Sequence, residues 1–379
     1  MALVSPLLAR TGTYPFVRLE EAKRAVQARG IDVIDMGIGD PRERADPRIE
    51  RALIDALPEV SGYPLAQGLP ELRQAVAGWA YRRFDARLDP DSEVIPTYGS
   101  KEAIFSLALA LLDRDGGRRT VAYTEPAYPV YERGALFAGG EPVALPLEAA
   151  HGFLPDLDAV DWDGVALLWI NYPNNPTGAV AGLDFFERAA ELARLHGFVL
   201  ASDEAYTELW FDRQPPSALQ VADRTNVLVF NSLSKRSSMT GYRCGFAAGD
   251  PALIGTLRAF RPSVGSAPQE FVQRAAIVAW GDESHVARNR ERYREKRDLL
   301  LEALAHAGLR VAGSQAGIYL WVEVPRGETS EGFATRVLER GVVVSPGSYF
   351  GPSGEGYVRI ALTPPLDQCR RAAVVLESL

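Results

Sequence analysis

Between about residues 93 and 249, short apolar runs alternate with stretches whose apolar residues recur every three to four positions. The runs lie at 93–96, 120–123, 142–145, 165–170, 198–201, 227–230 and 245–248, each bounded by turn residues. Their length and β-branched content predict buried strands. The intervening segments read as helices. One runs from about 101 to 112, and another covers 183–195 with Glu187, Arg188, Glu191 and Arg194 among its apolar positions. This alternation predicts an α/β architecture, in which a mainly parallel seven-stranded sheet carries helices on both faces. Gly249-Asp250-Pro251 opens a further helical region, and 283–307 reads as a long charged helix with leucines at 299, 300, 301 and 304.

The pattern then changes. Residues 317–324 alternate like a half-buried strand, 332–340 have helical spacing, and 341–344 and 357–361 supply more strands. These elements predict a smaller, separate α+β domain. A chain of 379 residues accommodates both units, and a hydrophobic fraction of 47% supplies a sizeable core. The net charge of −8 is spread without blocks of one sign, which argues against a nucleic-acid surface. Two distant cysteines and four scattered histidines predict neither a disulfide framework nor a metal site. Residues 1–10 lack a basic start and carry Pro6, so no signal peptide is expected. No apolar run approaches the roughly 18 residues of a membrane span. The expectation is a soluble cytoplasmic protein.

Four strand ends carry candidate chemistry. After 227–230 comes Asn231-Ser232-Leu233-Ser234-Lys235, with Arg243 further along. A lysine among hydroxyls, near a guanidinium, can hold an aldehyde cofactor as a Schiff base while its neighbours hold a phosphate. Alone, this reads more readily as a surface loop. After 165–170, Asn171-Tyr172-Pro173-Asn174-Asn175-Pro176-Thr177-Gly178 forces a turn that can aim an asparagine into a cleft. Ser202-Asp203-Glu204-Ala205-Tyr206 puts a carboxylate at a strand's carboxyl end, where α/β sheets bind ligands, although Asp203 also suits a helix N-cap. Tyr98-Gly99-Ser100-Lys101 meets a helix N-terminus, which is either an anion site or an ordinary helix start.

Taken together, and in this order, the segments resemble the class I/II aminotransferases, fold-type I enzymes that use pyridoxal 5'-phosphate. The resemblance extends from Ile34-Asp35-Met36-Gly37-Ile38-Gly39-Asp40-Pro41 through Gly62-Tyr63-Pro64 to Tyr357-Val358-Arg359-Ile360-Ala361. It implies a large cofactor-binding domain at 45–284 and a discontinuous small domain at 1–44 and 285–379. It implies that Lys235 carries the cofactor and shuttles the proton, that Asp203 pairs with the pyridinium nitrogen, and that Asn175 and Tyr206 bond the ring's phenolic oxygen. The phosphate would lie on Ser100, Lys101, Ser232 and Arg243, with Ser234 assisting, and Tyr128 would stack on the ring. Tyr63 would reach the neighbouring subunit's phosphate, which implies a homodimer with shared sites. Arg359 would clamp the substrate carboxylate, helped by Asn175 and the backbone of Gly39.

The substrate is less constrained. Tyr14-Pro15-Phe16, Gly37-Ile38-Gly39-Asp40-Pro41, Ser61-Gly62-Tyr63-Pro64 and residues 90–104 resemble bacterial succinyldiaminopimelate transaminases of lysine biosynthesis. That implies N-succinyl-LL-2,6-diaminopimelate as amino donor and 2-oxoglutarate as acceptor. A distal carboxylate then needs a cation, for which Arg18, Lys23, Arg236 and Arg261 are candidates. Aspartate, aromatic or broad-specificity transamination remains an alternative. So does a carbon–sulfur lyase on the same fold. A ligand-sensing regulator would need an additional DNA-binding module, and the resemblance already begins by about Tyr14.

Overall fold

A computed structural model describes residues 5–265 and 267–379; the expectation about a leader falls partly on residues 1–4, outside them. After a short strand β1 (Ile34–Asp35), a seven-stranded sheet is built from β2 (Val94–Thr97), β3 (Thr120–Glu125), β4 (Glu141–Pro146), β5 (Val165–Asn171), β6 (Val199–Asp203), β7 (Val227–Ser232) and β8 (Gly245–Gly249). Each overlaps one of the seven predicted runs. The spatial order is β2-β8-β7-β6-β5-β3-β4. Neighbours from β7 to β4 run parallel, while β8 is antiparallel to both β7 and β2. The reversal follows from the connection. Between β7 and β8 the chain makes only a four-residue helix (Leu233–Arg236) and a turn at Thr240–Tyr242, with no crossover long enough to return it parallel.

Apolar residues alternate between the two faces of the sheet. Val94, Leu168, Leu200, Val229 and Phe246 pack with Val76, Trp79, Ala190 and Ala276 of the helices Pro70–Phe84, Leu183–His196 and Glu270–Gly281. Ile95, Leu167, Ala201, Leu228 and Ala247 pack with Ala103, Tyr131 and Ile254 of the helices Gly99–Leu111, Val130–Ala138 and Pro251–Val264. Burial on both faces is why the strands read as continuous apolar runs in the sequence.

The smaller sheet has the order β12-β13-β10-β9, all antiparallel, formed by β9 (Val311–Gly313), β10 (Tyr319–Glu323), β12 (Ser345–Pro346) and β13 (Tyr357–Ala361). The predicted strand at 341–344 is shorter, Val342–Val343, and β12 follows it. β11 (Val342–Val343) leaves the smaller sheet to pair, parallel, with β1. The N-terminal chain is thereby stitched to the C-terminal unit. The long helix is Ser284–His306, and it packs on Leu366–Glu377. Among the described residues, no helix is long and apolar enough to cross a membrane, and no cluster of His, Cys, Asp or Glu is arranged to hold a metal.

Candidate active site

Chain direction puts the carboxyl ends of β5, β6 and β7 on one edge of the large sheet, close to where strand order turns back at β3. Ligand crevices of open α/β sheets lie at such switch points. A cavity of about 350 Å³ opens there. Its walls bring together Gly39, Ser100, Lys101, Tyr128, Asn175 and Asp203 with Tyr206, Ser232, Ser234, Lys235, Arg243 and Arg359. Of the residues expected to hold the cofactor and the substrate's α-carboxylate, only Tyr63 lies elsewhere. Its side chain is fully exposed on the surface, so within one chain it takes no part in the cavity.

One end of the cavity is built for an anion. The helix Gly99–Leu111 begins there, presenting the unbonded amides of its first turn beside Ser100 and Lys101. Ser232, the N-cap of the four-residue helix, accepts from the Ser234 amide and lies 2.8 Å from the Ser234 hydroxyl. Arg243 is held in a left-handed conformation (φ 54°), with Nη1 donating to Thr240 O at 2.9 Å. Gly99 also has positive φ, and a Cβ there would stand 2.4 Å from Arg243 Nη2. Only glycine lets the guanidinium come this close to the helix start.

Asp203, at the end of β6, is nearly fully buried. The Tyr131 hydroxyl donates to its Oδ2 at 2.8 Å and the Ala205 amide to its Oδ1 at 3.2 Å. Asn171 Nδ2 donates to its carbonyl at 2.7 Å, so the β5 loop holds the β6 end in place. Lys235 projects its amine into the cavity and donates to Gly39 O. Arg359, on β13 of the smaller sheet, donates to Asn175 Oδ1 at 2.8 Å and to Gly37 O at 2.7 Å. Its guanidinium carbon lies 4.1 Å from the Tyr319 ring centre, 4.6 Å from that of Phe350 and 5.5 Å from that of Phe16.

The model of the aminotransferase class I and II family matches residues 31–376. The chain belongs to this family. Its members depend on pyridoxal phosphate, and the enzyme is a pyridoxal-phosphate-dependent aminotransferase. It is 42% identical to the LL-diaminopimelate aminotransferase of Aquifex aeolicus over 375 residues, 97% of this chain and 96% of the relative. A solved aminotransferase of Neisseria meningitidis superposes with a TM-score of 0.92 at 38% identity, covering 99% of each chain. A probable N-succinyldiaminopimelate aminotransferase of Thermus thermophilus gives 0.89 at 34% identity, covering 96% of this chain and 99% of that one.

The donor set of the aminotransferase fits its cofactor. An amine, a buried carboxylate and an anion cradle with a close glycine share one cavity, as a phosphorylated pyridine aldehyde requires. Burial pushes the Lys235 amine down to about 8, against the pull of Asp40 and Asp203. Burial also pushes the Asp203 carboxyl up to about 6, although its bonds to Tyr131 and Ala205 favour the charged form. Glu204 behind it, bonded by Ser202 and the Ala218 amide, rises to about 7 for the same reason. The neighbouring Cys244 thiol is buried and pushed up to about 12, as fits a packed small hydrophobe.

Among the four cations considered for a distal carboxylate, three are already committed. Arg236 is fully buried against Glu208 and Glu283, Arg261 is paired with Glu102, and Lys23 is paired with Glu20 and Asp35. Arg18 lies over the Tyr349 ring in a second cavity of about 570 Å³, which shares Tyr128 with the first. Two site residues were not anticipated. Tyr131 was hidden as one more aromatic in a helical stretch, and its edge-on contact with Tyr128, which precedes the helix Val130–Ala138, appears only in the fold. Tyr319 was hidden inside a regularly alternating strand.

Proposed function

We propose that Lys235 is the cofactor-bearing and proton-transferring residue, with Asp203, Asn175, Tyr206 and Tyr128 around the ring, Ser100, Lys101, Ser232, Ser234 and Arg243 on the phosphate, and Arg359 on the substrate carboxylate. The observation that carries this reading is the shared anchoring of two residues from opposite sheets. Lys235 donates to Gly39 O and Arg359 to Gly37 O. Carbonyls two residues apart are separated by at most about 7 Å. A carboxylate on Arg359 therefore leaves its Cα within reach of the Lys235 amine.

Pyridoxal phosphate, when bound, supplies an aldehyde that links to amines and a ring that accepts the electron pair released at Cα. The chain's own residues do the rest. The Asp203 carboxylate keeps the ring nitrogen protonated, and a cation there returns Asp203 to its charged form. Arg359 has five N–H donors, of which two are used, leaving Nε and others for a carboxylate. The fork fixes which bond at Cα faces Lys235. An amine that has been pushed down to about 8 is substantially neutral near that pH, so it can take a proton from Cα and return it two atoms along, to the carbon beyond the nitrogen.

The same reading makes the amino donor a diaminopimelate and the acceptor 2-oxoglutarate, a cytoplasmic step of lysine biosynthesis. Free LL-diaminopimelate is the better-supported form, since the Aquifex aeolicus relative is the more similar. The cavity wall also carries a carboxylate, Asp40, and the side-chain ammonium of Lys101, whose amide alone is assigned to the phosphate; neither is in a salt bridge among the described residues, which suits a zwitterionic far end. The N-succinylated donor is the second reading, supported by the Thermus thermophilus neighbour and by Arg18, which is in no ion pair among the described residues. The β1–β11 pairing and the Lys296–Glu43 ion pair support the discontinuous small domain, 1–44 with 285–379. The exposed Tyr63 supports a homodimer in which it meets the partner's site. Comparing kcat/KM for LL-diaminopimelate, its N-succinyl and N-acetyl derivatives, aspartate and phenylalanine with 2-oxoglutarate tests the donor. A diaminopimelate should lead the series. A large preference for aspartate or phenylalanine overturns the reading, and pyruvate with ammonia from cystathionine in the absence of any keto acid points to a lyase.

A further inference from the structure

We infer that Tyr319 is a positioning residue that links the substrate clamp to the ring-binding tyrosine. It has two working ends, one on each. β10 and β13 are antiparallel neighbours, with Tyr319 opposite Ala361 and Trp321 opposite Arg359. Tyr319 and Arg359 are therefore diagonal neighbours on one face of the sheet, a placement set by backbone register. The Tyr319 ring lies 4.1 Å from the guanidinium carbon, the nearest of the three rings around it. Its hydroxyl reaches the other way and lies 3.0 Å from the hydroxyl of Tyr206. Both tyrosines are buried.

The surrounding chain is shaped to this ring. A Cβ on Gly39 would stand 1.9 Å from the Tyr319 hydroxyl, so the segment that accepts from Lys235 passes directly over it. Gly37 O, two residues earlier, accepts from both Arg359 and the Ser345 hydroxyl. With its terminal nitrogens tied to Asn175 and Gly37 and a ring against its face, the guanidinium is held to one plane. Planarity is what a bidentate grip on a carboxylate requires. The hydroxyl pair fixes how the Tyr206 phenol is turned. Neither Arg359 nor Tyr206 is held in place by its own strand or loop alone.

This inference rests on the carboxylate role proposed for Arg359, and the test separates the two. The cofactor-loaded enzyme is prepared as wild type, Tyr319→Phe, Tyr319→Leu and Arg359→Lys. Equilibrium binding of amino acids is compared with that of amines lacking a carboxylate, and the visible band of the cofactor is titrated with pH. Tyr319→Phe keeps the ring, so carboxylate binding should stay within about twofold of wild type. It removes the hydroxyl, so the pH midpoint of the visible band should move. Tyr319→Leu should weaken amino acids about tenfold beyond Tyr319→Phe and affect amines no more than Tyr319→Phe does. An unmoved midpoint in Tyr319→Phe, or equal losses for amines and amino acids in Tyr319→Leu, overturns the inference. If Arg359→Lys also fails to discriminate between the two ligand classes, the clamp assignment falls instead.

Discussion

Asp203→Asn should make the cofactor-free protein more stable above pH 6 while removing its activity. The folded protein holds the Asp203 proton to about pH 6, whereas the ordinary carboxyl value is 3.8. Between these values the folded state binds more protons than the unfolded chain, so stability falls as pH rises through the window and then levels off. A displacement of that size is worth about 3 kcal/mol at pH 8. Asparagine removes the ionisation. It can still accept from Tyr131 or from Ala205, but not from both, and the amide that faces the other donor costs about 1–2 kcal/mol. The net expectation at pH 8 is a gain of roughly 1–2 kcal/mol. Urea unfolding of the cofactor-free wild type and variant, at intervals from pH 4 to 8, measures it. The difference between the two curves should open between pH 4 and 6, while Glu204, present in both proteins, adds its own fall toward pH 7 to each curve alike. A variant less stable than wild type at pH 8, or a difference that does not change with pH, refutes the argument. With cofactor bound, the pyridinium cation removes the penalty, so the variant should bind cofactor less well and turn over little. On the role proposed for it, Asp203 is a residue whose charge the apoprotein resists and the loaded enzyme would use.

Two further perturbations follow from the same geometry. Borohydride reduction of the loaded enzyme should place the pyridoxyl label on Lys235 among the four lysines of the chain. The competing outcome is Lys101, which also lines the cavity and whose ammonium burial pushes down; a label found there by peptide mapping displaces Lys235. Gly99→Ala puts a methyl against Arg243 and forces alanine to positive φ, so the dissociation constant for pyridoxal phosphate should rise about 10- to 100-fold. Its kcat at saturating cofactor should change little; unaltered affinity by spectroscopic titration contradicts the anion cradle.

The large sheet was legible because burial on both faces leaves an unbroken apolar signature, and its turns are marked by Gly, Pro and Asn. Lys235, Asp203 and Asn175 were legible because each follows such a run directly. The antiparallel setting of β8 was not, since strand direction depends on how far the preceding loop travels. The helices Pro15–Gln27, Pro47–Asp55 and Pro70–Phe84 escaped notice although each carries a proline in its first turn, the signal that could have found them. Tyr319 and Tyr131 show the other limit. Their importance comes from contacts across the fold to Arg359 and Asp203, and nothing in their own neighbourhoods distinguishes them from core aromatics. The cations told the same story in reverse. Arg236 and Arg261 looked available for substrate until the fold gave them carboxylate partners, Glu208 and Glu102.

Lys235, Asp203 and Arg243 stand on or just beyond the large sheet, while Arg359 and Tyr319 stand on the smaller one. The two halves of the site therefore answer to different parts of the molecule. With the roles proposed above, a small relative movement of the sheets would loosen the grip on the substrate's carboxylate and leave the anion cradle and the lysine undisturbed. A transaminase must release one acid and admit another in every cycle while keeping its cofactor throughout. Dividing the contacts between two sheets separates what is exchanged at each turnover from what is retained across all of them.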